Sequence, residues 1–410
     1  MNSDFLVIGG GVIGINIARQ LKRVYADCTV RILEKESKCG LHASSRNSGV
    51  LHAGFYYSPD SLKAKFTKIG NQRLTQYCRE KNLSVNSCGK LVVAKDEQDH
   101  PLMDDLIQRG RNNGIALEEI SEEDAKKIEP RIRTCERALF SPTTSTVNPH
   151  EILGAMIEDA LREGVQIDQG TQYVKRHGRS IQASSGLYEA GYVVNAAGLF
   201  ADHLARDFGF SERYRILPFK GLYLYSNEPA GAVCTNIYPV PDLRNPFLGV
   251  HVTVTVDGYM KIGPTAIPAF WREQYQGIQN FSFSDCLEIL GRQLGLLVFS
   301  EFDFKRLAAE ELKKYSRLHL VKLASHLLSG IHHSQFVKWG RPGIRAQLMD
   351  IKEKKLEMDF VVEGNDQSMH VLNVVSPGFT CALPFSEYVC EKIQGCLGQK
   401  PSNPIIGNEL

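Results

Sequence analysis

Three glycines and one acid near the amino terminus are spaced to hold a dinucleotide. Gly9, Gly11 and Gly14 make a Gly-x-Gly-x-x-Gly turn, and Glu34 follows twenty residues after the last of them. Gly9 permits the tight turn, Gly11 lets a pyrophosphate approach the backbone, and Gly14 lets a helix pack closely on a strand. Backbone N–H groups at Val12, Ile13 and Gly14 would then face the phosphates, where the helix dipole favours negative charge. A carboxylate at Glu34, with Lys35 beside it, can accept from a ribose diol. An ordinary glycine turn, with Glu34 on a solvated strand end, has the same letters. Context separates the two: Phe5–Ile8 reads as a strand, Ile15–Leu21 as a helix and Thr29–Leu33 as a second strand, a βαβ unit of about thirty residues.

Other elements must carry that cradle. Ser44 to Gly54, which includes Ser45, Asn47, Ser48, Gly49 and Val50, is rich in small and polar residues and reads as a loop passing close to something. Helical spacing covers Leu62–Lys81, and Gly89–Ala94 reads as a buried strand before two polar helices, Asp104–Asn113 and Ser121–Glu129. Asn148-Pro149 caps a helix ending at Gly164. A hairpin at Ser184–Gly186 leads into a valine-rich strand ending in Ala196, Ala197 and Gly198, small residues that suit a parallel sheet beside a nucleotide. Pro218–Pro268 reads as antiparallel strands and Phe283–Leu328 as helices. In the latter, Glu310–Leu328 is amphipathic, either packed on the core or docked on an anionic membrane. Gly340–Gln347 precedes a strand pair. Val371–Val375 then enters the turn Ser376, Pro377, Gly378, Phe379 and Thr380, with a last helix over Cys381–Cys396.

With 410 residues, 43% hydrophobic and 23% charged, the chain can bury the cores of two domains. Its net charge of +2 and lack of a basic block argue against nucleic acid as a partner. Ten cysteines without a Cys-x-x-Cys pair fit a reducing compartment and no zinc site, and His332-His333 has no helical partner or carboxylate suggesting a metal. The first strand begins too near Met1 for a secretory leader, and no run reaches the ~18 apolar residues of a spanning helix. These features predict a cytoplasmic protein, with peripheral contact on the inner face of the membrane as the alternative.

The cradle with Glu34, the Ser44–Gly54 loop, the Val193–Gly198 strand and the Ser376–Leu383 turn together resemble the D-amino-acid oxidase-like flavoprotein fold. More narrowly, Arg46–Tyr57, Pro218–Gly221, Phe247–His251, Ile262–Ala266 and Gly343–Gln347 resemble L-2-hydroxyglutarate dehydrogenases/oxidases, a resemblance spanning nearly the whole chain. It implies an α/β architecture: a Rossmann-like FAD-binding domain over 1–88, 145–215 and 330–400, interleaved with a substrate domain on a mostly antiparallel sheet over 89–144 and 216–329. FAD, non-covalent, would be the cofactor. The residues already named around the cradle, the loop and the turn would hold it, together with Val174, Gly343 and Arg345. The implied reaction takes L-2-hydroxyglutarate to 2-oxoglutarate, with hydride to flavin and electrons onward to a quinone or oxygen.

Such a reaction needs a base and cations as well as flavin. Imidazole, with an ordinary pKa of about 6.5, suits the base. The resemblance puts His52 against flavin and His251 against substrate, either able to take the proton. Arg345 offers a bidentate fork and Lys220 a point charge for the two carboxylates of a 2-hydroxy dicarboxylate. Tyr56, Tyr57 and Thr253 are candidate hydrogen-bond donors. The Gly378–Thr380 turn would aim backbone N–H groups at the flavin pyrimidine. The rivals are an amine or amino-acid oxidase of the same fold, a glycerol-3-phosphate dehydrogenase-like enzyme, and a flavin carrier without catalysis.

Overall fold

The computed structural model describes residues 1–241, 247–299 and 304–399. The chain divides into two compact units. Met1–Ser45, Pro149–Pro218 and the chain from Arg345 form the first; Arg46–Asn148 and Phe219–Ile344 form the second.

The first unit is built on parallel strands. Asn2–Ile8 lies between Val30–Leu33 and Gly186–Asn195, parallel to both, and Gln166–Asp168 extends the sheet beyond Val30–Leu33. Gly186–Asn195 has a divided outer edge: its first half pairs antiparallel with Ser180–Ala183, its last residues parallel with Ser368–Asn373. Strands covered on both faces can be apolar throughout, as Leu6, Val7, Val193 and Val194 are. The helices Pro149–Arg162 and Ala382–Cys396 pack against Val12–Val24. Buried Arg19 ties Val12–Val24 to the end of Pro149–Arg162, bonding Asp159 and Glu163 at 3.0 Å each.

The second unit carries an eight-stranded sheet in the order Phe336–Trp339, Leu224–Ser226, Met260–Gly263, His251–Val254, Asn236–Pro239, Lys90–Val93, Arg137–Ser141, Glu118–Ser121. Its neighbours run antiparallel except for one pair: Asn236–Pro239 runs parallel to Lys90–Val93. Strands from segments so far apart in sequence are not bound by the hairpin that enforces antiparallel neighbours. Leu91, Val93, Ile237, Val252, Val254 and Ile262 all join one apolar core. Side chains alternate along a strand, so Lys90, Tyr238, His251, Thr253 and Lys261 share the opposite face.

Three expectations differ. Residues 46–88 group with the second unit, because Val50–Leu51 and Val85–Asn86 both pair with Ser145–Val147. Gly343–Asp350 is itself a strand. The helix expected over 310–328 is two: Phe304–Lys313 ends, and Ser316 caps Arg317–Ala324 by accepting from the His319 N–H. A serine hydroxyl satisfying a first-turn amide starts a new helix wherever the chain can turn.

Candidate active site

The cradle lies wholly in the first unit. Gly9 has φ +113°, and a Cβ there would stand 2.4 Å from the Ala196 carbonyl oxygen. A Cβ on Gly14 would stand 2.0 Å from the Gly9 oxygen. Strand, turn and helix therefore touch backbone to backbone. Gly11 is the N-cap of Val12–Val24 and supplies no side-chain cap; Ser44 accepts from the Val12 N–H at 2.9 Å. Glu34 is buried, and accepts from the Gly10 N–H at 2.8 Å and the Glu36 N–H at 2.9 Å. A carboxylate has about four lone-pair sites, so capacity remains for a diol. A helix start whose own N-cap residue has no side chain, reached through three glycines, together with an acid fixed beside it, fits a nucleotide diphosphate and its ribose. Lys35 pairs instead with Glu36 at 2.7 Å, and His42 contacts the same carboxylate at 2.9 Å.

Around it, Ala197 donates to the Asn195 side chain at 3.1 Å, and Gly198 opens a 3-10 turn at φ +56°. Ser45 bonds the Gly40 carbonyl at 2.7 Å. Val174 sits at a bulge in Tyr173–His177, which leaves it out of the pairing with Ser180–Ala183. In the 376–380 turn a Cβ on Gly378 would come within 2.6 Å of the Val374 oxygen; Pro377 and Thr380 are buried and Phe379 is half-buried.

The second unit holds both histidines on a buried wall. Asn47 and Ser48 accept from the Gly49 and Val50 N–H groups at 2.9 and 3.2 Å, which rigidifies the loop, and Val50–Leu51 is a short strand. Asn71, on the helix Leu62–Glu80, donates to the Leu51 and His52 carbonyls. Asn113 binds the Gly54 and Tyr57 carbonyls, and Arg109 binds that of Tyr56. His52, Tyr56 and Tyr57 thus stand on a backbone pinned by two helices. Burial first, and the charge of Lys90 second, pull His52 down to about 3. His251 stacks on Tyr238 with ring centroids 3.7 Å apart, and its Nδ1 lies 2.9 Å from the Gly249 carbonyl. A carbonyl only accepts, so Nδ1 carries the hydrogen and the neutral ring has its lone pair on Nε2. The Thr253 hydroxyl lies close to the Tyr238 phenol without reaching hydrogen-bond geometry.

Several cations of this unit were not singled out by sequence reasoning. Lys261, opposite Thr253 in register, is buried, donates to the Ser48 carbonyl at 2.8 Å, and is drawn down to about 8 by burial. Lys90 is also fully buried. Arg46 lies 4.2 Å over the Tyr275 ring and donates to the Pro342 carbonyl, and a Cβ on Gly343 would strike the Arg46 oxygen at 2.2 Å. A period-two reading from His251 through Thr253 to the facing strand would have found Lys261. Of the expected cations, Lys220 is buried with its affinity for protons lowered by loss of water, and its amine lies 6.0 Å over Tyr315. Tyr315 and Tyr275 both line a cleft of about 270 Å³ with Leu222, Gln276, Trp339, Gly340 and Pro342. Arg345 is half-buried on Gly343–Asp350, in the first unit.

A stability test follows from two buried histidines. His370, bonded between Asn195 and Ser368 and held against Phe208 and Phe210, is also pushed to about 3, by burial and then Arg176. The unfolded chain takes up protons near pH 6.5 that these folded rings refuse. Stability is therefore complete above that value and is lost as pH falls toward 3. Each histidine should remove about 2 kcal/mol between pH 7 and pH 5, measured by urea unfolding; H370N should lessen that loss.

Residues 4–392 match the model of a family described as FAD dependent oxidoreductase. An L-2-hydroxyglutarate dehydrogenase of Escherichia coli (strain K12) is 33% identical over 407 residues, 98% of this chain and 95% of its own length. The mitochondrial L-2-hydroxyglutarate dehydrogenase of Homo sapiens is 33% identical, over 95% of this chain and 88% of its own. Among solved structures, an FAD-bound L-alpha-glycerophosphate oxidase from Mycoplasma pneumoniae superposes with a TM-score of 0.76 at 20% identity, covering 98% of this chain and 97% of that one. A glycine oxidase from Geobacillus kaustophilus superposes at 0.72 with 18% identity, covering 98% and 96%. At such identities the structural likeness is one of fold.

Proposed function

We propose, since this chain belongs to the FAD dependent oxidoreductase family and within it to the L-2-hydroxyglutarate dehydrogenases, that it oxidises L-2-hydroxyglutarate to 2-oxoglutarate. The identity to dehydrogenases of that name along nearly the whole chain carries the proposal. Bound FAD supplies the two-electron acceptor for the hydrogen on the substrate carbon. Gly9, Gly11, Val12, Ile13 and Gly14 hold its pyrophosphate and Glu34 its ribose, while the Gly378–Thr380 turn serves the ring. His251 takes the hydroxyl proton on Nε2, the atom its Gly249 bond leaves with the lone pair. His52, kept neutral by burial, orients rather than deprotonates. Lys220 and Arg345 take the two carboxylates, a pair of cations that an amine substrate would not require. Turnover with L-2-hydroxyglutarate, sarcosine, glycine and glycerol 3-phosphate, read as reduction of an added electron acceptor, with 2-oxoglutarate formed from the first, tests this; activity confined to an amine would end it.

For the electron acceptor we infer a quinone, reached at a membrane surface. No helix among the described residues is long and apolar enough to cross a bilayer. The helix Arg317–Ala324 buries Leu320, Val321 and Ala324, which supports packing as the reading of that segment. Phe283–Phe299 instead exposes Phe283 (68%), Leu287 (57%), Leu294 (59%) and Val298 (70%) along one face. An apolar helical stripe of this kind seats in the headgroup region. The protein should sediment with anionic vesicles, and L294E with V298E should leave it in the supernatant. Failure of the unaltered protein to sediment, with oxygen as efficient an acceptor as quinone, would favour oxygen.

A further inference from the structure

Lys90 is fully buried on the strand Lys90–Val93, and its amine has no hydrogen-bond partner among the described residues. Three rings box it: Phe55 at 4.4 Å, Tyr56 at 4.5 Å and Tyr238 at 4.8 Å. Cation–π attraction favours the ammonium, yet it offsets only part of the loss of hydration, and burial draws the amine down to about 7. Methionine would fill the same space among aromatic rings without that cost, so packing does not account for an amine here. It is linked to both candidate histidines, to one by its charge and to the other through a shared ring. The Lys90 charge acts on His52, and the Tyr238 ring that Lys90 contacts also stacks on His251.

We propose that Lys90 is a positioning residue for proton transfer: its boxed ammonium stands behind His52 and, across Tyr238, behind His251, so that both imidazoles enter turnover unprotonated. The inference rests on the oxidation proposed above. Among the described residues, the other titratable groups on this wall include Tyr56 and Tyr57 of the pinned loop, with Lys63 5.9 Å over the Tyr57 ring. Tyr223 acts on Tyr238, and Lys261 faces Thr253 on the next strand. None of these is an anion near neutral pH, so nothing among them cancels the Lys90 charge. A like charge nearby disfavours protonation of an imidazole.

The test is the pH profile of kcat/KM for L-2-hydroxyglutarate in the flavin-loaded protein and in K90M, K90Q and K90R. In K90M and K90Q the acid limb should move toward neutrality by about one pH unit, a loss of about tenfold at the acid end, with the plateau above it retained. K90R keeps the charge and should keep the wild-type limb. A packing role would lower the melting temperature and leave the limb in place, and an unmoved limb in both uncharged variants overturns the proposal. Nuclear magnetic resonance titration of histidine-labelled wild-type protein needs no variant: His52 should remain neutral at pH 5, and a ring titrating near 6.5 would overturn it as well. Wild-type protein inert toward L-2-hydroxyglutarate would sink the oxidation instead, and the His52 titration in K90M against wild type would still decide the role of Lys90: a rise in K90M supports it and no rise overturns it.

Discussion

Gly14→Val should purify colourless. A Cβ at position 14 meets the Gly9 carbonyl oxygen at 2.0 Å and the Ala196 side chain at 3.3 Å. The oxygen cannot retreat, because Gly9 donates its N–H to the Leu33 carbonyl at 2.9 Å and has no room even for a Cβ beside the Ala196 carbonyl. The helix Val12–Val24 must lift off its strand, and overpacking of this kind costs about 1–3 kcal/mol or more. Lifting the helix would also carry its first amides away from the place proposed for the FAD phosphates. The expected result is loss of flavin absorbance in the purified protein together with a lowered melting temperature. Gly154→Ala is the control: nothing lies within 4 Å of its Cβ in the helix Pro149–Arg162, and alanine in a helix interior should stabilise by up to about 1 kcal/mol.

His251→Asn should leave the protein yellow and lower kcat by about 10²–10⁴-fold, the usual contribution of a positioned base. The Gly249 carbonyl, 2.9 Å from Nδ1, fixes the hydrogen there and leaves Nε2 to accept. Tyr238, stacked at 3.7 Å, holds the ring plane. Asparagine can keep the bond to Gly249 but has no basic nitrogen, so the loss should fall on kcat and kcat/KM together. His52→Asn should cost less, because a ring held at about 3 is already a poor base at neutral pH. Equal losses in the two variants would move the base assignment from His251 to the pair.

The cradle was legible in the sequence because its requirements are local. Gly9, Gly11, Gly14 and Glu34 depend on one turn and the strand beside it, and glycine is the residue such contacts demand. The second unit was less legible because its site depends on register. His251 and Thr253 could be found from the strand they occupy. Lys261 becomes part of the same wall only through pairing opposite Thr253, and Lys90 only through the parallel pairing of Lys90–Val93 with Asn236–Pro239. That pairing joins segments far apart in the chain, and no turn between them announces it. The division of the chain was misplaced at residues 46–88 for a related reason: Val50–Leu51 answers to Ser145–Val147, not to the cradle that precedes it. Apolar spacing in 310–328 continued through Ser316, so a capped break inside it was hidden.

The most direct test of the account is an absorbance spectrum of the purified protein, recorded without oxygen before and after adding L-2-hydroxyglutarate. The account predicts a flavin spectrum that bleaches with L-2-hydroxyglutarate, yields 2-oxoglutarate, and does not respond to sarcosine, glycine or glycerol 3-phosphate. A colourless protein that takes up no FAD, or a yellow one bleached only by an amine, would contradict it.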